Sequence, residues 1–197
     1  MFKPLRKLYD WVLSWAHHPA GTWALFMLAV AESSFFPVPP DVLQIALGLE
    51  KPKRSFWYAT VSSAGSVLGG VFGYFIGLFL YESVGKDIID FYHLQATFEK
   101  VGGYYQAQAF WWIFVAAFTP IPFKVFTIAA GVYHAYVPLS ILIVASAVGR
   151  PARFFLVAAL IYFFGPRIKT FIDRYFNWLT VAFTVLLVGG FLLMKYL

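Results

Sequence analysis

Two long apolar stretches of this chain are each interrupted by prolines. The first covers residues 20–49 and is apolar except for Glu32 and Asp41. Three closely spaced prolines interrupt it: Pro37, Pro39 and Pro40. Because proline removes a backbone hydrogen-bond donor and clashes with the preceding turn, a continuous helix is not expected here. The pattern predicts two short helices and a break, as either one broken membrane span or a hairpin that enters and leaves on the same side.

The second interrupted stretch, residues 104–133, repeats the first. It carries one charge, Lys124, and two prolines break it, Pro120 and Pro122. With an offset of 83 positions, the segment 35–48 overlies the segment 118–131, and seven of these 14 positions are identical. Asp41 falls on Lys124 in this alignment. Because an internal repeat in the sequence indicates a repeated structural unit, we predict the same fold for both stretches.

Three further stretches are long enough to cross a bilayer, for which about 20 apolar residues suffice. Residues 55–81 contain no charge, residues 137–164 are the matching stretch of the second repeat, and residues 175–194 form an uncharged run. Small residues at every fourth position let a second helix approach closely. Four glycines of the first stretch predict such a seam: Gly65, Gly69, Gly73 and Gly77.

The polar segments between the apolar stretches predict the topology. Polar positions at helical spacing in residues 1–18 predict an interfacial amphipathic helix rather than a cleaved signal peptide. Residues 82–100 predict a second amphipathic segment. Basic residues cluster in residues 1–18 and again after the first interrupted stretch, at Lys51, Lys53 and Arg54. The positive-inside rule assigns both clusters to the cytoplasm, so the first interrupted stretch is predicted to be a hairpin.

The composition agrees with a membrane protein. The 197 residues are 61% hydrophobic and 12% charged, with a mean hydropathy of +0.73, whereas a soluble domain has about 25% charged residues. The net charge of +6 comes from basic residues beside apolar segments, which indicates contacts with anionic lipid and not with nucleic acid. The chain has no cysteine, which excludes disulfides and thiolate chemistry.

These observations predict an all-α polytopic membrane protein built as an inverted repeat. Each repeat comprises an amphipathic helix, a re-entrant hairpin and a transmembrane helix. The first repeat covers residues 1–82, the second covers residues 83–165, and a C-terminal transmembrane helix in residues 166–197 completes a single membrane domain. Inverted repeats whose broken helices meet near the bilayer midplane are typical of transporters. We expect a multi-pass protein of the cell inner (plasma) membrane with a cytoplasmic N-terminus.

Five ionisable residues lie inside the apolar stretches: Glu32, Asp41, Lys124, Arg150 and Arg153. Each costs roughly 2.5–3.5 kcal/mol if it faces lipid alone, so these side chains must pair, line water or serve a function. Two interpretations stay open. In the structural one, Asp41 and Lys124 form a salt bridge across the pseudo-symmetry axis. In the functional one, Glu32 and Asp41 are proton-sensitive and the three cations bind an anionic headgroup.

No signature of catalysis accompanies these charges. The four histidines lack a second ligand at metal-binding spacing, and no nucleophile motif or phosphate-binding loop occurs. We therefore predict that the protein is not an enzyme and has no catalytic residue, metal or cofactor. The prolines form the hairpin-tip motifs, which protein or a water-filled cavity must cover because lipid does not tolerate irregular backbone.

The two proline motifs resemble those of a known family. The segments 32–41 (ESSFFPVPPD) and 118–124 (FTPIPFK), the second followed by Gly131, are similar to the two hairpin motifs of the DedA family and its YqaA-like branch. The shared domain is also called the VTT or SNARE-associated domain. The resemblance covers roughly residues 20–165. It implies a polytopic membrane protein that moves phospholipid or undecaprenyl phosphate across the bilayer, with coupling to protons.

The resemblance also implies roles for individual residues. Glu32 and Asp41 take the acidic role of the first hairpin, and Lys124 takes a basic role of the second. Many family members have an arginine just ahead of the second proline motif, where this chain has residues 116–118 (AAF), and Arg150 is our candidate replacement. The spacing from Glu32 to Asp41 is shorter than in some branches.

The leading functional hypothesis is a lipid or polyprenyl-phosphate translocase with a midplane site between the two hairpins. Its expected partners are membrane lipids and protons, not nucleic acid, and assembly into a homo-oligomer is left open. A proton-coupled carrier of a small soluble anion is the first alternative, and a cavity that is polar throughout would favour it. A membrane-structural protein without transport is the second, and a sealed junction between the hairpins would favour that.

Overall fold

The computed structural model of the protein describes residues 14, 15, 18–81, 83 and 95–165. This part of the chain is helical, with no strand. Three predicted segments lie wholly or mostly outside the described residues, namely the amphipathic helix 1–18, most of the segment 82–100, and the final apolar run 175–194.

The first interrupted stretch forms two helices, as predicted. Helix α1 is Gly21–Ser34 and helix α2 is Asp41–Glu50. The backbone N–H groups of Phe35 and Phe36 both donate to Ala31 O, which closes the end of α1. The three prolines of the motif occupy the non-helical residues 35–40 between the helices. Asp41 stands in the first turn of α2, where a carboxylate complements the positive end of the helix dipole.

Helix α2 folds back along α1, so the pair forms a hairpin. Leu25 of α1 packs in one buried cluster with Leu43 and Leu47 of α2. A Cβ atom at Gly21, the first residue of α1, would lie 3.1 Å from the side chain of Leu47, near the end of α2. The beginning of α1 therefore lies beside the end of α2, which is the geometry of two antiparallel helices joined at the proline break.

Four more α-helices follow this hairpin in the described part of the chain. A short 3₁₀ turn, Pro52–Arg54, leads into α3, Ser55–Leu80. Helix α4 is Gln95–Phe118 with a kink at Gln108, whose φ of −154° and ψ of 57° are not helical. Helix α5 is Phe123–Val132, and the second proline motif occupies the break between α4 and α5. Helix α6 is Leu139–Gly165.

Two of the described helices are long and apolar enough to cross a membrane. They are the stretch Pro52–Leu80, which contains α3, and Leu139–Gly165, which is α6. The bounds of α3, Ser55–Leu80, and of α6 agree within two residues with the predicted spans 55–81 and 137–164. Both helices also leave large apolar side chains exposed, among them Leu68, Phe72 and Phe79 of α3 and Val144, Leu156 and Phe163 of α6.

The predicted glycine seam of α3 is confirmed. A Cβ atom at Gly65 would lie 2.7 Å from Phe26 O, and one at Gly69 would overlap the carbonyl of Val30. Because the residue contacted in α1 advances from Phe26 to Val30 as the glycine in α3 advances from Gly65 to Gly69, α3 runs parallel to α1. Further along, a Cβ atom at Gly77 would overlap the carbonyl of Ile128 in α5. The seam thus brings α3 against one helix of each hairpin at backbone distance.

Helices α3 and α6 are antiparallel. The rings of Phe56 and Tyr162 lie 5.4 Å apart near one end. Further along α3, Ser66 accepts a hydrogen bond from Arg150, and Gly70 then faces Ser146. Since residue numbers rise on α3 while they fall on α6, the two long helices cross the molecule in opposite directions.

Candidate functional site

The charged residues predicted from the sequence lie around the two proline breaks. Glu32 is near the end of α1 and Asp41 begins α2, so they flank the first break. Lys124 is in the first turn of α5, just after the second break. Arg150 and Arg153 lie on α6, one helical turn apart, so that they can reach the first hairpin from the same side of that helix.

Glu32 and Arg150 form a buried ion pair. The Nη2 atom of Arg150 donates to Oε2 of Glu32 at 2.8 Å, and the two side chains are 2% and 11% exposed. The hydroxyl of Ser33 donates to the same carboxylate oxygen at 3.1 Å. A buried pair of this kind persists only when further hydrogen bonds satisfy the charged groups. Arg150 is therefore held inside the molecule by its partners.

The guanidinium of Arg150 is held from several directions. Its carbon lies 5.0 Å from the centroid of the Phe123 ring and 4.7 Å from that of Phe154, both within range of a cation–π contact. Its Nε atom donates to the hydroxyl of Ser66, which in turn lies 2.6 Å from the hydroxyl of Ser33. The two serines therefore link Arg150 to Glu32 by a second route.

Asp41 and Arg153 form a second, bidentate pair. Arg153 donates from Nε to Oδ1 of Asp41 at 3.1 Å and from Nη2 to Oδ2 at 2.9 Å. Its remaining nitrogen, Nη1, donates to the carbonyl of Thr119 in the second proline break. Since the guanidinium presents a planar fork that matches a carboxylate, one arginine connects the start of α2 with the tip of the second hairpin.

The predicted salt bridge between Asp41 and Lys124 is wrong. Asp41 is occupied by Arg153, and the Nζ atom of Lys124 donates to the carbonyl of Phe36 at 3.1 Å. The two residues are equivalent in the repeat, but Asp41 faces α6 while Lys124 reaches the backbone of the first proline break. Lys124 nevertheless ties the second hairpin to the tip of the first.

Sequence reasoning missed the polar residues that connect these charges. Thr127 is fully buried, and its hydroxyl lies 2.9 Å from Ser33 O and 3.0 Å from Lys124 O. The only signal for Ser33 and Ser66 was a polar residue in an apolar helix, which is also typical of simple helix packing. The charged residues and these three hydroxyls together join α1, α2, α3, α5 and α6 in one polar layer.

This layer has capacity for an anion and lacks the composition of a metal site. Lys124 has three N–H groups and uses one of them, on Phe36 O, and its side chain is only half-buried. Within the described residues, no group of three or more His, Asp or Glu side chains could hold a metal ion. The chemistry available is charge pairing and hydrogen bonding to an anion.

Comparison with known proteins gives relatives without an assigned function. The chain is 32% identical to an uncharacterised protein of Haemophilus influenzae over 189 residues, which cover 95% of this chain and 96% of that protein. It is 30% identical over the same length to an uncharacterised protein of Histophilus somni, covering 95% and 97%. No family model and no solved structure matches the chain. Because both alignments cover nearly the whole of each chain at 30% identity or more, this chain belongs to the same family as these two uncharacterised proteins.

Proposed function

We propose that this protein is a DedA-type membrane transporter that moves a lipid with a phosphate headgroup, a phospholipid or a polyprenyl phosphate, across the bilayer. The observation that carries the proposal is the contact between the two proline breaks. Lys124 and Thr119 of the second hairpin contact Phe36 and Arg153, and Arg153 holds Asp41 of the first. Two broken hairpins that meet at a charged layer are the arrangement expected of a transporter site.

The helix bounds support a repeat. With the offset of 83, the start of α2 at Asp41 maps to position 124, and α5 begins at Phe123. The start of α3 at Ser55 maps to position 138, and α6 begins at Leu139. Even the close contacts correspond, because Gly48 of α2 packs on Ile161 of α6 while Gly131 of α5 packs on Leu78 of α3. Position 78 maps to position 161 under the same offset.

The directions of the helices support an inverted repeat. The equivalent helices α3 and α6 run antiparallel, so the second half has the opposite orientation to the first along their common direction. In a bilayer, the first hairpin would enter from the side of Arg54 and the second from the other side. By the positive-inside rule, the basic residues around Arg54 support a cytoplasmic location for the first side. The plasma membrane as the location of the protein is part of the proposal.

A lateral groove supports a lipid rather than a small soluble anion as the substrate. It is a shallow depression between α3 and α6, largely open to the outside of the molecule, with a volume of about 480 Å³. Its lining is mainly apolar and includes Leu68, Pro151 and Phe155, and its outer rim is exposed. An acyl chain matches such a groove, and Pro151 lies between the two arginines of the charged layer in sequence. The polar residues of this lining are Thr60 and Ser63, and it contains no charged side chain that could bind a small soluble anion.

The headgroup contact is assigned to Lys124. Among the cations of the layer it alone is not in an ion pair within the described residues, and it keeps N–H groups for a phosphate. Arg150 and Arg153 stay in the proposal as the residues that hold the hairpins, and they would contact the substrate only after their ion pairs open. Coupling to protons through Glu32 and Asp41 remains a prediction.

A structural role without transport is the second candidate. The burial of Arg150, only 2% exposed and paired with Glu32, favours a permanent lock between the halves of the molecule. On that view, the charges stabilise the fold and no substrate enters the layer.

Lipid transfer in proteoliposomes distinguishes the two candidates. The wild-type protein should accelerate the movement of a fluorescent phospholipid or labelled polyprenyl phosphate between leaflets. Lys124→Ala should abolish most of this activity while the protein remains folded, because Lys124 makes one hydrogen bond, to a backbone carbonyl. Lys51→Ala removes an exposed lysine outside the layer and should leave the rate unchanged. Equal rates for both variants would exclude Lys124 from the mechanism, and no activity in the wild type would favour the structural role.

A further inference from the structure

Three buried side chains of α2 and α3 each have a polar atom without a hydrogen-bond partner in the described part of the chain. They are Ser55 and Ser62 of α3 and Gln44 of α2, each no more than 1% exposed. The hydroxyls of both serines and the Oε1 atom of Gln44 make no hydrogen bond within the described residues. Buried polar atoms in folded proteins are almost always satisfied, by protein or by an ordered water. Each of these atoms therefore points to a bound molecule that can donate or accept a hydrogen bond.

Ser62 could have been satisfied within its own helix, since it lies seven residues after the start of α3. A serine or threonine in a helix commonly donates to the carbonyl four residues earlier. Five others among the described residues do so, at distances of 2.6–3.0 Å: Ser34, Thr60, Ser63, Thr119 and Ser146. The buried hydroxyl of Ser62 makes no such hydrogen bond. This difference argues against simple helix packing as the role of Ser62.

The three side chains lie in sequence along one route through the molecule. Ser55, Ser62 and Ser66 are separated by seven and four residues, so they share one face of α3 and cover about 16 Å of its length. Gln44 lies at a level between Ser55 and Ser62 of α3. Its Nε2 atom donates to Phe154 O at 2.9 Å, and Phe154 packs on Ala59, which lies between the two serines in α3. At Ser66 the route reaches Arg150, Ser33 and Glu32.

We infer that a chain of ordered waters enters at the Ser55 end of α3, binds to Gln44 and Ser62, and reaches the Glu32–Arg150 ion pair. The entrance is near Arg54, which is exposed at the start of α3. The route is lined by hydroxyls and an amide, which can both donate to and accept from water. It would connect the buried carboxylate of Glu32 with the aqueous phase on one side only. This inference does not depend on the identity of any transported lipid.

The sign of a stability change tests the water at Ser62. If the hydroxyl binds water, Ser62→Ala removes a satisfied hydrogen bond and lowers the melting temperature by about 2–4 °C. If the site is dry, the same change removes an unpaired polar group and raises the melting temperature. Ser146→Ala is the matched control, since that buried hydroxyl donates to Leu142 O at 2.6 Å and is satisfied within the helix. A rise for Ser62→Ala would overturn the inference.

The absence of native cysteine allows a direct test of access. Single variants Ser62→Cys and Ser146→Cys are treated with silver ion in sealed membrane vesicles, and the remaining thiol is measured with a maleimide dye after denaturation. The thiol at position 62 should be lost at least tenfold faster than that at position 146. Its reaction should occur from the same side of the membrane as the exposed reference Arg54→Cys. Equal rates at both positions, or access from the opposite side only, would overturn the inference.

Discussion

Removal of the Glu32 charge is the most informative perturbation of this molecule. In Glu32→Gln, the guanidinium of Arg150 remains in place but loses the anion 2.8 Å from its Nη2 atom. Arg150 is 2% exposed and lies between two aromatic rings, so bulk solvent does not screen the charge that remains on its guanidinium. Removal of one partner from a buried ion pair typically costs about 3–5 kcal/mol, because the other charge is left uncompensated. For a chain of this length that corresponds to a fall in melting temperature of roughly 6–20 °C.

The Asp41–Arg153 pair provides the comparison. Its side chains are 16% and 17% exposed, so solvent screens the charge that Asp41→Asn leaves behind. Arg153 also keeps its hydrogen bond to Thr119 O. We expect a loss of about 1–3 kcal/mol, in the range of a hydrogen bond to a charged group. Asp41→Asn should therefore lower the melting temperature less than Glu32→Gln does.

A double-mutant cycle separates the ion pair from other effects of the Glu32 substitution. Thermal unfolding in detergent is measured for Glu32→Gln, Arg150→Met and the combination of both. Because the double variant leaves no uncompensated charge, it should be more stable than the sum of the single effects predicts, by about 1–3 kcal/mol. Additive effects, or a smaller shift for Glu32→Gln than for Asp41→Asn, would refute the assignment of Glu32–Arg150 as the central buried pair.

Two further substitutions, Gly131→Ala with Gly103→Ala as its control and Arg153→Lys, test the packing and the geometry of the site. Gly131→Ala should prevent α5 from packing on α3, because its Cβ would overlap the carbonyl of Tyr74, and size-exclusion chromatography should show loss of the folded protein. Gly103→Ala meets no atom within 4 Å and should leave the melting temperature equal or slightly higher, so similar losses for both variants would contradict the close-packing argument. Arg153→Lys keeps the charge but not the planar fork that binds Asp41, and should cost about 1–3 kcal/mol of unfolding free energy. An unchanged melting temperature for Arg153→Lys would show that the bidentate geometry contributes nothing.

The helices and their breaks could be predicted from the sequence because each depends on local rules. Closely spaced prolines interrupt an apolar helix, and both breaks occur at such groups, whereas the single Pro151 lies within α6. Charge-free length predicted α3, the repeat predicted α6 as its counterpart, and fourfold glycine spacing predicted the seam between α3 and the hairpins. The beginning of α4 at Gln95 was not anticipated as part of the second hairpin, because the apolar run begins only at residue 104.

The partners of the charged residues could not be predicted from the sequence. The repeat suggested that Asp41 and Lys124 meet because they occupy equivalent positions, but equivalence fixes the place of a residue and not the direction of its side chain. Asp41 faces α6, where Arg153 can bind both carboxylate oxygens. The two ion pairs join residues that are 112 and 118 positions apart in the sequence. Their formation depends on how the hairpins and α6 pack together, which no local sequence pattern predicts.

The glycine seam restricts how the molecule could change shape. Contacts between backbone atoms cannot be adjusted by side-chain rotation, so α3 must move together with α1 and α5 as one rigid body. Helix α6, by contrast, contacts the first hairpin and α3 through side chains, among them those of Arg150 and Arg153, whose hydrogen bonds can exchange partners. If the proposed transport involves a change of shape, we expect α6 to move relative to a fixed frame of α1, α3 and α5, with the two arginines changing partners.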